Sequence, residues 1–163
     1  MAIRTRVGQG SDIHRFVDGP SDRVLVLGGV KFPNEKPLAG HSDADVIAHA
    51  AADALLGAAS LGDIGMHFPD TDPQWAGANS LTLLAHVATI VREAGFEIGN
   101  VDCSIVCEKP KIAPHREEMQ KLLSDATGAT ITIKGRRAEG LGALGREEGI
   151  ACWAVAVIER TQA

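Results

Sequence analysis

The chain of 163 residues is mildly acidic, with 16 basic and 21 acidic residues and a formal net charge of −5. This balance excludes a broad electrostatic attraction to nucleic acid or anionic lipid, and no apolar run reaches the roughly 20 residues that a membrane-spanning helix needs. With 45% apolar residues, a chain of this length is expected to form a single domain over residues 1–163.

The amino-terminal part predicts two strands and a helix. The strands are expected at 7–16, which carries polar residues, and at the more apolar 24–30. An alanine-rich helix follows the loop that ends at His41, and Ser42 or Asp43 is expected to cap it. The N–H groups at this helix start would form an anion site, to which the His41 imidazole and the Ser42 hydroxyl add donors. Plain N-capping by Ser42 is the structural alternative.

The remaining chain alternates irregular and regular segments. Residues 57–77 lack periodicity and are expected to be irregular, as functional or mobile loops are. A second helix is expected from Asn79 or Ser80 to Gly95, and a third, opened by a proline, over 114–128. Further strands are expected at 101–107, 129–134 and 150–158.

The element order, ββ-α-α-β-α-ββ, predicts the fold class. Mixed strands and helices of this kind favour an α/β (α+β) fold built as a two-layer sandwich. We find no internal repeat, low-complexity stretch or linker that would divide the chain.

The cysteines and the first residues predict a cytoplasmic protein. Cys103, Cys107 and Cys152 are odd in number and lie in apolar runs, which favours buried thiols over disulfides. They form no C-x-x-C pair, so a zinc site built on thiolates is not expected. Residues 1–6 lack the apolar stretch of a secretory signal.

The sharpest candidate site combines Asp12-x-His14 on the first predicted strand with His49 on the first helix. Residues two apart on a strand point to the same face, so Asp12 and His14 can share one ion and His49 can add a third ligand. Two histidines and a carboxylate with an open position are typical of catalytic zinc and equally of non-haem iron. For so short a motif, a surface carboxylate near a partly buried histidine is the structural alternative.

Two aspartates are candidates to orient His49. Asp45, His49 and Asp53 follow one another at intervals of four and share one face of the predicted helix. A ligating histidine usually donates its second ring N–H to a carboxylate or carbonyl, and either aspartate could accept it. A solvated polar stripe is the alternative.

The long loop carries carboxylates that can contact a ligand. Asp63, with Gly65 close behind it, and the pair Asp70 and Asp72 can bind sugar hydroxyls or a divalent ion. Aspartate and glycine are also common turn formers, so turn formation alone would explain them.

Cations near the ends of two predicted strands can neutralise phosphates. Lys111 follows one strand and Arg137 ends another, and both can make charge-assisted hydrogen bonds or simply be solvated. The glycine-rich stretch from Glu139 to Arg146 matches neither a Walker A loop nor a dinucleotide fingerprint. The Glu139 carboxylate can bind a divalent ion that is itself bound to phosphate, and the Arg146 guanidinium can bind the phosphate directly.

Taken together, these motifs occur in the order of a known family. They are Asp12-Ile13-His14, Gly28-Gly29-Val30, His41-Ser42-Asp43-Ala44-Asp45-Val46-x-x-His49, Asp53-Ala54-Leu55-Leu56-Gly57-Ala58, Leu61-Gly62-Asp63-Ile64-Gly65, Phe68-Pro69-Asp70-Thr71-Asp72 and Glu148-Gly149-Ile150-Ala151. The sequence resembles the 2-C-methyl-D-erythritol 2,4-cyclodiphosphate synthase family over essentially its whole length.

The resemblance implies a phosphorus–oxygen lyase of non-mevalonate isoprenoid precursor synthesis. In that family the 2-phosphate of 4-diphosphocytidyl-2-C-methyl-D-erythritol 2-phosphate attacks the β-phosphorus of the same molecule, which closes the 2,4-cyclodiphosphate and releases CMP. One Zn²⁺ per subunit would be held by Asp12, His14 and His49. A second divalent ion, Mg²⁺ or Mn²⁺, would take Glu139 as its protein ligand.

The resemblance also implies an assembly and residue roles. It implies a chorismate-mutase-like homotrimer whose mixed sheets carry helices on one face, with sites shared between subunits and neither nucleic acid nor membrane as a partner. His41 and Glu139 would be the catalytic positions. The implied substrate-binding residues are Ser42, Asp63, Gly65, Asp70, Asp72, Lys111, Arg137 and Arg146.

Two positions depart from the family pattern. Arg136-Arg137-Ala138 stands where many members have threonines that contact the nucleotide phosphates, so a charge on Arg137 is expected to take over that contact. Ala143 stands where a phenylalanine often lines the trimer's central cavity, which argues against isoprenoid diphosphate binding there.

From the residues alone, two other hypotheses stay open. A metal-dependent phosphohydrolase would use the same Asp-x-His and distal histidine, with water in the open position. A non-catalytic, zinc-stabilised binding module would use the ion only for stability.

Overall fold

The structure is a computed structural model that describes residues 2–161, so Met1, Gln162 and Ala163, which the expected domain 1–163 includes, lie outside the described residues. The strands are β1 Ile3–Arg15, β2 Leu25–Leu27, β3 Val30–Phe32, β4 Glu97–Val106, β5 Thr130–Arg136 and β6 Gly149–Thr161. The α-helices are α1 Val46–Ala59, α2 Ile64–His67, α3 Ser80–Glu93, α4 Arg116–Thr127 and α5 Gly142–Gly145, and 3₁₀ turns lie at Pro73–Trp75 and Ala113–His115.

The main sheet is mixed and carries its helices on one face. Its strand order is β1-β6-β4-β5, with β4 and β5 parallel and the other pairs antiparallel. Helix α1 packs across β1 and β6, and α4 packs against β5. The predicted two-layer sandwich is therefore confirmed. Within residues 2–161 no helix is long and apolar enough to cross a membrane.

No helix among residues 2–161 packs over the other face of the sheet, and we call it the outer face. Side chains alternate across a strand, and the residues that point outward here include large apolar ones. These are Ile3, Val7, Ile13, Trp153 and Val155, all exposed. Exposed apolar side chains on a face that these helices leave uncovered make it a candidate interaction surface.

Two glycines let α1 approach β1 almost backbone to backbone. A Cβ added at Gly8 would lie 2.1 Å from the carbonyl oxygen of Ala54, and one at Gly10 would lie 2.1 Å from that of Ala50. Only glycine therefore fits at these positions. The close approach brings the side chains of α1 next to those of β1, two residues before Asp12.

Replacing Gly10 with alanine is expected to destabilise the protein by about 3 kcal/mol or more, because the added methyl group collides with backbone atoms that cannot move aside. The midpoint of urea unfolding measures the change. Gly57→Ala is the matched control, since a Cβ there meets only the Gln9 carbonyl at 3.7 Å and alanine favours a helix by about 1 kcal/mol. Equal midpoints for the two variants would contradict the packing argument.

The predicted strand at 24–30 is wrong, because the chain reverses direction inside it. Gly28 and Gly29 have φ values of 57° and 79°, and positive φ at both central residues is typical of a tight hairpin turn. Leu27 pairs with Val30 across this turn, so β2 and β3 form a separate two-stranded sheet.

Several predicted boundaries also differ. Strand β1 starts at Ile3 because its first residues pair with the end of β6, where Ile3 opposes Thr161. The segment 57–77, expected to be irregular, contains the last turn of α1, the whole of α2 and a 3₁₀ turn. Pro114 lies in a 3₁₀ turn, and α4 starts after it.

Candidate metal centre

Asp12, His14 and His49 meet where β1 passes under α1, and we call them the metal cluster. Asp12 and His14 occupy alternate positions of β1 that face the helices. The Oδ2 atom of Asp12 lies 3.1 Å from Nε2 of His14 and 3.0 Å from Nδ1 of His49. One potential ligand atom from each residue lies within 4.8 Å of the others. The grouping predicted from the spacing is thus present, and it fits a divalent metal.

The electrostatics of the cluster favour an ionised carboxylate. Burial acts to raise the pKa of Asp12, but the hydrogen bonds and charges of His14 and His49 outweigh it and hold that pKa well below its usual range. In return, the hydrogen bond to Asp12 raises the pKa of His14. Asp12 is therefore an acceptor with no proton to lose when a cation binds.

His14 is oriented by a backbone carbonyl. Its Nδ1 lies 2.6 Å from the oxygen of Ala39. Since a carbonyl oxygen only accepts, Nδ1 donates a proton to it, which leaves Nε2 as the ring nitrogen that faces Asp12. Gly40 closes over the ring, because a Cβ there would lie 3.0 Å from Cε1 of His14.

The expected cap of α1 by Ser42 or Asp43 is wrong, because Asp45 caps the helix. Its fully buried carboxylate accepts hydrogen bonds from the N–H groups of Ile47 and Ala48. It also accepts from the N–H groups of Gly28 and Gly29 in the β2–β3 turn. The Asp45 carboxylate therefore occupies the N-terminal end of α1, where the sequence predicted an anion site.

Neither of the two aspartates that could orient His49 forms a hydrogen bond with it in the described chain. Asp45 is directed into its cap, and Asp53 accepts a hydrogen bond of 2.7 Å from the N–H of Ile64, which anchors α2. The second ring nitrogen of His49, Nε2, instead lies 2.7 Å from Oγ of Ser80. The sequence did not reveal this contact between Ser80 and His49, because a serine at the start of a helix is usually interpreted as a helix cap.

An open cleft of about 440 Å³ surrounds the metal cluster, and we call it the first cleft. Of the predicted site residues, it brings together Asp12, His14, His41, Ser42, His49, Gly65 and Asp70. Phe68, Trp75 and Leu83 supply apolar walls. A cavity of this size, mainly apolar with a few convergent polar groups, is typical of a small-molecule site.

Asp63 and Asp72 hold turns near this cleft without lining it. Asp63 caps α2 by accepting from the N–H of Met66 at 3.0 Å. Asp72 caps the next 3₁₀ turn and accepts from Gln74. Both aspartates thus take the turn-forming role that was the alternative, and their substrate contacts stay a prediction.

A second cleft, of about 260 Å³, lies near the ends of β4 and β5. The predicted residues Lys111 and Arg137 line it, together with Arg116 and Arg136. It shares no lining residue with the first cleft. Since β1 and β5 are opposite edges of a four-stranded sheet, three strand spacings or roughly 14 Å separate the two edges.

Glu139 and Arg146 line neither cleft. Glu139 is exposed in the turn after β5, with a φ of 55°. Arg146 is exposed as well, and its Nε lies 2.7 Å from a carboxylate oxygen of Glu148. The described chain by itself therefore does not place these predicted site residues in the cleft of the metal cluster.

Comparisons with known proteins agree with this geometry. The model of the YgbB family matches residues 5–159. A 2-C-methyl-D-erythritol 2,4-cyclodiphosphate synthase from Geobacillus thermodenitrificans is 50% identical, over 97% of this chain and 99% of its own.

Two solved structures show the same fold. The bifunctional IspDF of Campylobacter jejuni matches 99% of this chain with a TM-score of 0.91 and 36% identity, and the chain spans 44% of that longer protein. The CDP complex of IspF from Plasmodium falciparum matches with a TM-score of 0.83 and 33% identity, over 97% of both chains.

Proposed function

The chain belongs to the YgbB family of 2-C-methyl-D-erythritol 2,4-cyclodiphosphate synthases, and we propose how its own residues carry that reaction. The enzyme is a lyase of non-mevalonate isoprenoid precursor synthesis. It converts 4-diphosphocytidyl-2-C-methyl-D-erythritol 2-phosphate to the 2,4-cyclodiphosphate and CMP. The observation that carries the proposal is the convergence of Asp12, His14 and His49 at one cleft.

We propose that the metal cluster holds one Zn²⁺. The fit rests on a carboxylate kept ionised, two imidazoles directed at it, and an open cleft beside them. Non-haem iron takes the same donor set, but a phosphoryl transfer needs a Lewis acid and no change of oxidation state. A redox-inactive ion is therefore favoured.

The first cleft acts mainly by positioning the substrate. The attacking phosphate oxygen is already anionic, so no general base is required, and His41 and Ser42 orient that phosphate from the wall of the cleft. Gly65, Asp70 and the nearby Asp63 are assigned to the methylerythritol hydroxyls. When bound, Zn²⁺ and a second ion held by Glu139, Mg²⁺ or Mn²⁺, would neutralise the phosphates and lower their mutual repulsion.

We assign the cytidine diphosphate part of the substrate to the second cleft. Lys111, Arg116, Arg136 and Arg137 place four cationic side chains around a small concave surface. Guanidinium groups suit phosphate oxygens because they donate paired hydrogen bonds. Arg137 is the residue that we assign to the diphosphate, in place of the threonines that many members of the family carry.

We further propose a homotrimer in which each site is completed by a neighbouring subunit. The first cleft holds the metal cluster and the second holds the phosphate-binding cations, at opposite edges of one sheet. Packing through the outer face would bury its apolar residues. It would also bring the second cleft, Glu139 and Arg146 of one subunit to the first cleft of the next.

The remaining assignments are a single domain and a cytoplasmic location. Pairing of β1 with β6 ties the two ends of the described chain together, which supports one domain. Cys103, Cys107 and Cys152 are buried free thiols, which supports a reducing compartment.

Metal analysis of the purified protein tests the zinc assignment. We expect one zinc ion per chain, and its removal with a chelator should abolish turnover that added Zn²⁺ restores. Stoichiometric iron would overturn the choice of ion, and turnover by a metal-free protein would overturn the role of the site.

Lowering the pH is expected to weaken Zn²⁺ binding, because the ion competes with a proton for His14. The hydrogen bond to Asp12 raises the pKa of His14 above its usual 6.5, although desolvation acts against it. Below the raised pKa each ion displaces one proton, so the apparent Kd rises about tenfold per pH unit. Above it the Kd levels off. A competition titration against a chromophoric chelator measures this slope, and a pH-independent Kd would contradict the assignment of His14.

A further inference from the structure

The segment 38–42 carries the two residues that are assigned to the attacking phosphate. His41 and Ser42 line the first cleft from this segment, and the Ala39 carbonyl within it accepts a hydrogen bond from Nδ1 of His14. The segment lies outside the helices and the six strands, so no regular ladder of backbone hydrogen bonds fixes its shape. Its position therefore depends on contacts with other parts of the molecule.

The side chain of Arg23 bridges the two ends of this segment. Its Nε donates to the carbonyl oxygen of Leu38 at 3.0 Å, and its Nη2 donates to the carbonyl oxygen of Ser42 at 2.8 Å. Within residues 2–161 no backbone N–H donates to either oxygen. A guanidinium suits this arrangement because it is always charged and holds its N–H donors in a rigid fork. Arg23 thus fixes the spacing of the two carbonyls and of the three residues between them.

The hairpin of β2 and β3 gives Arg23 a firm base. The half-buried Arg23 lies two residues before the start of β2. At the other end of the hairpin, the N–H groups of Gly28 and Gly29 donate to Asp45, the cap of α1. The hairpin is therefore tied to the start of α1 by its turn and to the segment 38–42 by Arg23.

Arg23 reaches this segment from outside the first cleft. It lines a third cleft, of about 310 Å³, which shares Ser42 with the first cleft but contains none of the metal cluster. Since both of its hydrogen bonds to the segment go to backbone carbonyls, the guanidinium acts on a bound phosphate through the segment and not by direct contact.

We propose that Arg23 is a positioning residue for ring closure, because it holds His41 and Ser42 in the orientation that directs the attacking phosphate at the β-phosphorus. The proposal rests on the proposed function of the first cleft. A displacement of about 1 Å in groups that position a substrate can lower the rate by about 100-fold. Binding of the cytidine diphosphate part should not depend on this segment, because the second cleft is lined by other residues.

The test compares Arg23→Met, Arg23→Lys and Arg92→Met at saturating Zn²⁺. Methionine keeps a flexible unbranched side chain but donates no hydrogen bond, while lysine keeps the charge on a single nitrogen. Arg92 provides the matched control. It is a half-buried arginine whose Nη2 donates to the carbonyl of Thr127 at 2.7 Å, and it lines none of the three clefts.

Arg23→Met is expected to lower kcat by about 10-fold to 100-fold, with KM and the Kd for CDP close to their wild-type values. Arg23→Lys should recover only part of kcat, because one ammonium group does not reproduce the fork. Arg92→Met should keep the wild-type kcat even if it lowers the midpoint of urea unfolding. A purely structural role of Arg23 would lower that midpoint without this loss of kcat.

Amide hydrogen exchange measures the segment without turnover. The N–H of Ala39 donates to the carbonyl of Arg15 at 2.8 Å, and the N–H of Asp43 donates to that of Ala78 at 3.1 Å. Both amides therefore report local opening of the segment. They should exchange faster in Arg23→Met and at the wild-type rate in Arg92→Met.

The outcomes separate the inference from the proposed function. A wild-type protein that forms no cyclic diphosphate would overturn the proposed function and the inference with it. With an active wild type, an Arg23→Met protein that keeps the wild-type kcat, or the wild-type exchange rates at Ala39 and Asp43, would overturn the inference alone. Full recovery of kcat in Arg23→Lys would also overturn it, since a charge would then be sufficient. If Arg23→Met does not fold, the same measurements on Arg23→Lys decide.

Discussion

His49→Ala is expected to abolish stoichiometric zinc binding and to lower kcat by at least about 10³-fold, which is roughly 4 kcal/mol of transition-state stabilisation. The variant removes one of the three proposed ligands, the imidazole whose Nδ1 lies 3.0 Å from Oδ2 of Asp12. The chain should stay folded, because alanine fits the alanine-rich helix α1 and favours it. Metal analysis, far-ultraviolet circular dichroism and turnover together measure the result.

His115→Ala is the control for this variant. His115 packs edge-on against Phe32, with ring centroids 4.8 Å apart, and lines neither cleft. It should keep its zinc and its turnover. Unfolding of His49→Ala would favour the zinc-stabilised binding module, and full activity would contradict the assignment of His49 as a ligand.

Trp153→Glu is expected to dissociate the proposed trimer and to lower kcat/KM by at least about 10²-fold. Trp153 lies on the outer face opposite Ser11 and is 45% exposed in the single subunit. A carboxylate buried there without a partner costs several kcal/mol, and separation of the subunits would split each site. Light scattering should give a mass near the 17.1 kDa of one chain.

Trp153→Phe keeps the apolar surface and should keep both the trimer and the activity. A Trp153→Glu monomer with full activity would show that one subunit holds a complete site. A wild-type protein with the mass of a single chain would contradict the proposed trimer.

Much of the fold could be predicted because its signals are local. Helix α3 starts where Asn79 can cap it, and Gly95, with a φ of 86°, follows its end. The hairpin of β2 and β3 was missed because 24–30 is apolar throughout, although Gly28-Gly29 between two apolar runs is a sequence signal for a tight turn. The cap of α1 was missed because Asp45 also binds the hairpin, which is a tertiary contact.

The residues of the candidate site could likewise be predicted where their signals are local, and not where they depend on tertiary contacts. Asp12 and His14 could be predicted to share a face, because alternation along a strand is a local rule. The close packing that brings His49 to them depends on Gly8 and Gly10, whose role appears only once α1 lies on β1. Ser80 could not be identified, because it reaches His49 from 31 positions away in the sequence.

The reaction itself is tested most directly by phosphorus-31 NMR of the purified enzyme with 4-diphosphocytidyl-2-C-methyl-D-erythritol 2-phosphate, Zn²⁺ and Mg²⁺. Ring closure predicts the two coupled resonances of a cyclic diphosphate and one CMP for each molecule consumed. A metal-dependent phosphohydrolase would instead release linear products as water attacks. Free monophosphates without the cyclic product would contradict the account.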